Sequence, residues 1–90
     1  MSQTVSQEPL CLHRRAVVVD AHVDTLLEIA SKKRTLGERS SMGHVDIPRL
    51  VEGGVDVQVF AVYIEPEYKL ERSSKRALQL VDILYHEFEK

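Results

Sequence analysis

The sequence lacks tryptophan and has a single cysteine, Cys11, among its 90 residues. One cysteine cannot form a disulfide within the chain, which excludes a small disulfide-stapled domain and favours a reducing compartment such as the cytoplasm. An excess of charge of one sign is also missing, because 12 basic and 14 acidic side chains leave a net charge of −2. Without a basic surplus, binding to nucleic acid or to an anionic membrane through bulk charge is disfavoured.

Long hydrophobic runs are absent from the sequence as well. No stretch approaches the roughly 20 apolar residues that a membrane-spanning helix needs. Residues 1–8 contain neither the basic nor the apolar segment of a secretory signal, so we expect no membrane partner and a cytoplasmic location. These eight residues are mostly polar and are predicted to form a disordered tail, which leaves residues 9–90 as the folded part.

The first half of the chain changes from helical to strand character and back. Pro9 suits the first turn of a short helix, and a strand rich in β-branched residues follows over residues 16–24. Thr25 and Glu28 fit a capping box, so a second helix is predicted to begin there and to run to about Lys33.

The second half repeats this alternation after a loop over residues 35–45, which is rich in glycine and serine. Asp46 is expected to cap a short helix that ends at Gly53-Gly54. A second strand is predicted over residues 55–64 and an amphipathic helix over about residues 70–89. Strands that alternate with helices indicate an α/β fold with a parallel sheet.

Two parallel strands leave two unpaired edges, and parallel sheets are normally covered by helices on both faces. The apolar face of the first strand, which we expect to pack under helices, consists of Val17, Val19, Ala21 and Val23. Ninety residues supply too little chain for complete cover of a sheet. The chain is therefore predicted to be the opening portion of a larger fold, or to need partners that complete the sheet.

The strongest chemical signal is His22-Val23-Asp24 at the carboxyl end of the first strand. Residues two apart on a strand project to the same side about 7 Å apart, so an imidazole and a carboxylate can reach one ion. These donors suit Zn²⁺ best, with Mn²⁺, Fe²⁺ and Co²⁺ as the other candidates. In the alternative reading, Asp24 caps the next helix and His22 is a buried, hydrogen-bonded ring. A catalytic zinc needs about three protein ligands, so the remainder would come from outside these residues.

Other polar residues are weaker candidates. Asp20 lies on the same predicted face as the two candidate ligands, where it would orient a ligand or hydrogen-bond within the sheet. Tyr63 and Glu65, at the end of the second strand, are candidate substrate-pocket residues. His44-Val45-Asp46 repeats the metal-pair spacing, but Asp46 as a helix cap explains it, so it is not counted as a second pair. No residue of the chain is assigned a catalytic role.

Several segments in order resemble the amino-terminal part of the membrane dipeptidase, or renal dipeptidase, family of zinc peptidases: residues 18–25, 44–50, 52–55 and 58–63. The resemblance implies that the chain forms the first βα units of an amidohydrolase-like (β/α)₈ TIM barrel, which is incomplete in these residues. Such barrels need about 250 residues, so the chain would be roughly a quarter to a third of a family member.

The resemblance also implies a site with two Zn²⁺ ions, one of them bound by His22 and Asp24. A bridging glutamate and further histidines would come from later strands. In the family, a metal-bridged hydroxide attacks the peptide carbonyl of a dipeptide. The resulting hypothesis is an amino-terminal segment of a zinc dipeptidase that is inactive in isolation, and whose full-length form is a candidate homo-oligomer. The alternative is a truncated non-catalytic remnant, or a subunit that depends on a partner.

Overall fold

A computed structural model describes residues 7–90 of the chain. The first helix, α1 (Gln7–Arg15), begins two residues before Pro9, which lies in its first turn as expected. Gln7 and Glu8, assigned above to the tail, are therefore helical, and the rest of the predicted tail, residues 1–6, lies outside the described residues.

The other elements follow in the predicted order: β1 (Val19–Val23), α2 (Leu26–Ala30), α3 (Ile47–Gly53), β2 (Val57–Phe60) and α4 (Ser73–Phe88). The two strands pair in parallel, which confirms the α/β class. Two 3₁₀ turns, Pro66–Tyr68 and Leu70–Arg72, precede α4, so the last α-helix begins later than predicted. No helix within residues 7–90 combines the length and the apolar character needed to cross a bilayer.

The register of the sheet contains an irregularity close to its carboxyl end. Val19 pairs with Val57 and Asp20 with Gln58, but the next pair is Val23 with Phe60. Three residues of β1 therefore span two of β2, which is the pattern of a β-bulge with one extra residue. The sequence predicted that side chains alternate between two faces along the whole of β1, and the bulge interrupts this alternation. Val23 is therefore buried, although Val19, which was predicted to lie on the same face, is exposed.

The predicted packing of the apolar strand face under helices is wrong for most of that face. Val17 is 76% exposed and Val19 is 54% exposed, and their neighbours Val57 and Val59 on β2 are also exposed. The helices α2 and α4 pack against each other instead of covering these valines. The buried apolar side chains are Val23, Leu26, Ile29, Leu36 and Leu80. The core thus lies between the helices and at the carboxyl end of β1.

The predicted capping box at the start of α2 is also wrong. Thr25 has helical backbone angles, φ −55° and ψ −25°, whereas a capping residue needs an extended backbone to turn its hydroxyl onto the helix. The Glu28 carboxylate accepts a hydrogen bond from Arg34 Nη2 at 2.9 Å instead of reaching back to the helix start. The helix ends at Ala30, three residues before the predicted end, and Lys32 then adopts a positive φ of 62°.

The predicted cap of α3 is confirmed. Asp46 has an extended backbone, and its Oδ1 accepts from the Arg49 backbone N–H at 2.8 Å. Pro48 lies in the first turn of α3, and Gly54 ends the helix in the left-handed conformation with φ 79°. Because α3 leads directly into β2, its first residues lie on the side of the molecule where the parallel strands end.

Candidate metal centre

The candidate centre lies at the carboxyl edge of the sheet, where β1 and β2 end together. The Val23 carbonyl accepts a hydrogen bond from the Ala61 N–H at 2.9 Å, which joins the two strands at this edge. His22 is the fourth residue of β1, and Asp24 is the first residue after it. In open α/β sheets and in barrels, ligands bind outside the carboxyl ends of the strands. The sheet therefore presents this pair at the edge where function is expected.

The structure brings the two predicted ligands together. His22 Nε2 lies 3.2 Å from Asp24 Oδ1, and the two side chains are 67% and 56% exposed. The alternative interpretation, in which His22 is a buried ring and Asp24 caps the next helix, is contradicted by the exposure of the His22 side chain. The Asp24 carboxylate contacts the imidazole of His22 rather than serving as the cap of α2, whose N-cap position is Thr25. Both donor groups are thus adjacent and open to an incoming ion.

The chemistry of this pair fits part of a zinc site. An imidazole nitrogen and a carboxylate oxygen are both common zinc ligands, and here the two atoms lie 3.2 Å apart. Within residues 7–90, however, the structure contains no group of three or more histidine, cysteine, aspartate or glutamate side chains that could hold an ion. These residues therefore supply two donors, whereas a catalytic zinc site uses about three protein ligands and water.

Asp20 acts on the backbone beside the pair. Its Oδ1 accepts from the His22 backbone N–H at 3.2 Å, in the part of β1 that contains the bulge. Gln58, its partner on β2, donates to the Val59 carbonyl at 3.1 Å, while Gln58 Oε1 is buried without a partner among the described residues. Asp20 thus restrains the chain at His22 rather than its ring. Its predicted role behind a metal ligand stays a prediction.

The predicted pocket residues, Tyr63 and Glu65, lie in the segment that follows β2. Tyr63 is 50% exposed, with Lys69 Nζ 5.8 Å from its ring centroid. Glu65 binds the Arg76 guanidinium of α4 through both oxygens, at 3.0 and 2.6 Å. These hydrogen bonds hold the pKa of Glu65 below its usual value. Glu65 thus ties the segment to α4, and the pocket role of both residues stays a prediction.

His44, for which the sequence predicts no ligand role, lies near the pair of His22 and Asp24. It shares with Asp24 the walls of a cavity of about 260 Å³ lined by Asp24, Thr25, Leu27, Glu28, Gly43 and His44. The position of His44 near this edge could have been inferred from the order of the helices and strands. Asp46 caps α3, α3 leads into β2, and the residues just before the cap must therefore lie near the carboxyl edge.

Comparison with known protein families matches residues 7–90 to the membrane dipeptidase family, peptidase family M19. Comparisons with curated proteins and with solved structures give no match. The matched range contains both strands, the pair at the carboxyl edge and the cavity beside it. The match covers far more than half of the chain and agrees with the resemblance of its motifs. The chain therefore belongs to the membrane dipeptidase family of peptidases.

Proposed function

We propose that this chain supplies two metal ligands, His22 and Asp24, to a zinc-dependent dipeptidase that cleaves the peptide bond of dipeptides. Membership of a peptidase family supports a hydrolase that acts on peptide bonds. The observation that carries the metal assignment is the 3.2 Å approach of the two donor atoms at the carboxyl edge. The pair binds one of two Zn²⁺ ions in the complete site.

The residues of this chain orient the metal donors. The hydrogen bond from Ala61 to Val23 holds the strand ends together, and the bond from the His22 N–H to the Asp20 carboxylate restrains the backbone just before His22. The contact between His22 and Asp24 keeps both side chains on one side of the chain. A bound Zn²⁺ supplies Lewis acidity, which polarises a carbonyl group and makes water more acidic. The described residues add no group that transfers a proton in this proposal.

The remaining ligands come from sequence beyond these 90 residues, so the isolated chain is expected to be inactive. Two observations support this part of the proposal. The described residues bring together only two donors, and the apolar valines of the sheet are left exposed. In a (β/α)₈ barrel, which we propose for the full-length protein, further strands and helices would cover such valines.

The test uses the full-length protein with His22→Ala and the matched control His86→Ala. His86 is exposed on α4 and contacts Asp82 of its own helix, so its loss should leave the site intact. We expect His22→Ala to lower the zinc content and to reduce dipeptide hydrolysis by at least about 100-fold, because even residues that only orient a ligand are worth 10–100-fold. Wild-type zinc content and turnover in His22→Ala would refute the assignment.

The second candidate function is a subunit without activity of its own that associates through its sheet. The exposed Val19, Val57 and Val59 on the two paired strands favour it, together with the exposed Val17 two residues before β1, because exposed apolar side chains at a sheet can pack against a partner. Sedimentation of the 90-residue chain over a range of concentrations tests this candidate. Mass that rises with concentration would support it, whereas a stable monomer would count against it.

The location and partners are also proposed. A cytoplasmic enzyme whose partner is a dipeptide, with neither nucleic acid nor membrane bound, is supported by the net charge of −2 and the single cysteine. We also propose that the full-length protein forms a homo-oligomer. Cell fractionation and the mass of the purified full-length protein test these proposals.

A further inference from the structure

We propose that Gln58 is a positioning residue for the metal pair, and that its side-chain amide holds the β-bulge that sets the position of His22. The inference rests on the proposed function, because it concerns the residues that bind the metal there. Gln58 lies on β2 opposite Asp20, and the bulge in β1 begins directly after this pair. Bulges beside functional sites commonly change the direction of a side chain.

The bulge determines where His22 lies. Asp20 pairs with Gln58 in the sheet. An unbroken register would therefore place His22, two residues later, opposite Phe60. In the structure Val23 lies opposite Phe60 instead, and His22 falls within the bulge. The side chain of His22 is 67% exposed, whereas Val23 is 6% exposed. The extra residue thus turns Val23 into the core and leaves the imidazole at the open edge of the sheet.

The backbone of the bulge is held by the two side chains of the pair that precedes it. The His22 N–H donates to Asp20 Oδ1 at 3.2 Å, within β1. Gln58 Nε2 donates to the Val59 carbonyl at 3.1 Å and lies 3.5 Å from the Asp20 carbonyl. An amide NH₂ group has two hydrogens, so it can bind both carbonyls at once. Gln58 therefore connects the start of the bulge to Val59, the residue of β2 that lies opposite it.

The amide of Gln58 is expected to contribute more to the geometry of the bulge than to stability. A hydrogen bond between neutral groups contributes modestly to folding, and one of 3.5 Å is weak. Gln58 Oε1 is buried without a hydrogen-bond partner among the described residues, and such an oxygen opposes folding by a comparable amount. Because the two contributions nearly cancel, a change in metal binding on loss of the amide would report on the position of His22.

The test compares Gln58→Met with Gln79→Met in the full-length protein. Methionine is similar in length to glutamine but lacks the amide, and Gln79 is exposed on α4, which makes it the matched control. We expect Gln58→Met to weaken Zn²⁺ binding, measured by competition with a chelator, by about 10-fold, as for other residues that orient a metal ligand. Its thermal midpoint should stay within about 3 °C of the wild type. Gln79→Met should change neither quantity.

Co²⁺ provides a second readout, because its visible absorption depends on the geometry of its ligands. We expect the spectrum of the Co²⁺-substituted protein to change in Gln58→Met and to match the wild type in Gln79→Met. A residue that only stabilises the sheet would leave the spectrum of the folded protein unchanged.

Asp20→Ala tests whether both side chains act through the same bulge, since it removes the acceptor of the His22 N–H. Substitutions within one hydrogen-bonded unit are not additive. The double variant with Gln58→Met should therefore bind Zn²⁺ about as weakly as the weaker single variant, rather than with the product of the two losses.

The outcomes separate this inference from the proposed function. Wild-type Zn²⁺ affinity and an unchanged Co²⁺ spectrum in Gln58→Met would overturn the positioning role and leave the dipeptidase proposal standing. A larger fall in its thermal midpoint would also overturn that role, because Gln58 would then act on the stability of the sheet. Independent losses in the double variant would contradict a shared bulge. Failure of the wild-type full-length protein to bind Zn²⁺ would overturn both proposals together.

Discussion

The tripeptide His-Val-Asp occurs twice in this chain, at residues 22–24 and 44–46, and its two copies have opposite surroundings. In the first copy, the side chain of Asp24 is 56% exposed and contacts the histidine two residues before it. In the second copy, the side chain of Asp46 is fully buried. It accepts hydrogen bonds from two backbone N–H groups and from a guanidinium. Identical residues at identical spacing therefore differ in burial and in the groups that they contact.

The difference follows from the backbone that comes after each copy. Asp46 has an extended backbone directly before α3, so its carboxylate meets the free N–H groups of a helix start. Asp24 is separated from α2 by Thr25, and its carboxylate turns toward the imidazole of His22 instead. A His-x-Asp spacing thus predicts a ligand pair only where the aspartate has no helix start to cap.

The largest expected effect comes from removing the charge of the exposed aspartate. Asp24→Asn in the full-length protein should reduce dipeptide hydrolysis by at least about 100-fold, because a neutral amide replaces the carboxylate that we propose as a metal ligand. Its free energy of unfolding, measured without metal, should change by less than about 0.5 kcal/mol, since the side chain is mostly exposed. Steady-state kinetics and denaturant unfolding measure the two quantities. A folded variant with wild-type kcat/KM would show that Asp24 is not a ligand.

The buried aspartate should show the opposite balance between activity and stability. Asp46→Ala is expected to lower the free energy of unfolding by about 2–3 kcal/mol. The lost helix cap accounts for about 1 kcal/mol. The Ser40 N–H and the Arg49 guanidinium, left without their carboxylate, account for the rest. Denaturant unfolding with Asp82→Ala as an exposed control measures this loss. Equal stability of the two variants would contradict the structural role of Asp46.

Local signals in the sequence were sufficient for the features that depend on neighbouring residues. The cap at Asp46, the glycine that ends α3 and the adjacency of His22 and Asp24 each follow from residues within a few positions of one another. Helical spacing of apolar residues similarly predicted α4 apart from its first turn. Such features survive folding because the tertiary structure adds little to what the local chain already favours.

Features that depend on distant residues could not be predicted in this way. The bulge near His22 arises from the register between β1 and β2, which no local pattern of β1 records. Glu28 pairs with Arg34, which lies six residues later and beyond the end of α2, and Thr25 adopts a helical backbone, so the capping box does not form. His44 joins Asp24 at one cavity only because α2, the loop and α3 bring the chain back to the carboxyl edge. In each case a contact made outside the residue's own helix or strand outweighs the preference of that element.

A smaller effect is expected from the glycine that precedes His44 in the second copy. Gly43→Ala should lower the free energy of unfolding by about 1–2 kcal/mol, because φ is 71° and the added Cβ would meet the Glu28–Arg34 pair. Gly37→Ala is the matched control, since a Cβ there meets nothing within 4 Å. Thermal unfolding of both variants measures the difference. If Gly37→Ala were the more destabilising, the close contact between Gly43 and the Glu28–Arg34 pair would be contradicted.

The smallest expected effect is the contribution of Asp46 to the pH dependence of stability. Burial raises the pKa of this carboxyl, but hydrogen bonds from Arg49 and Ser40, together with the charge of Arg49, outweigh burial. The pKa in the folded protein therefore lies below the usual value of 3.8. Between the two pKa values the unfolded chain binds more protons than the folded one, so acid favours unfolding.

The stability that comes from Asp46 should thus be complete at pH values well above 3.8 and decrease as the pH falls through the lower, folded pKa. Asp46→Asn removes the titrating group, so its unfolding free energy should fall less steeply than that of the wild type in this acid range. The change in slope is small, because a single carboxyl alters the difference in bound protons between the folded and unfolded states by at most one. Denaturant unfolding at a series of pH values measures it. An unchanged slope would mean that the hydrogen bonds to Asp46 do not favour its charged form, and the contrast between the two tripeptides would then rest on burial alone.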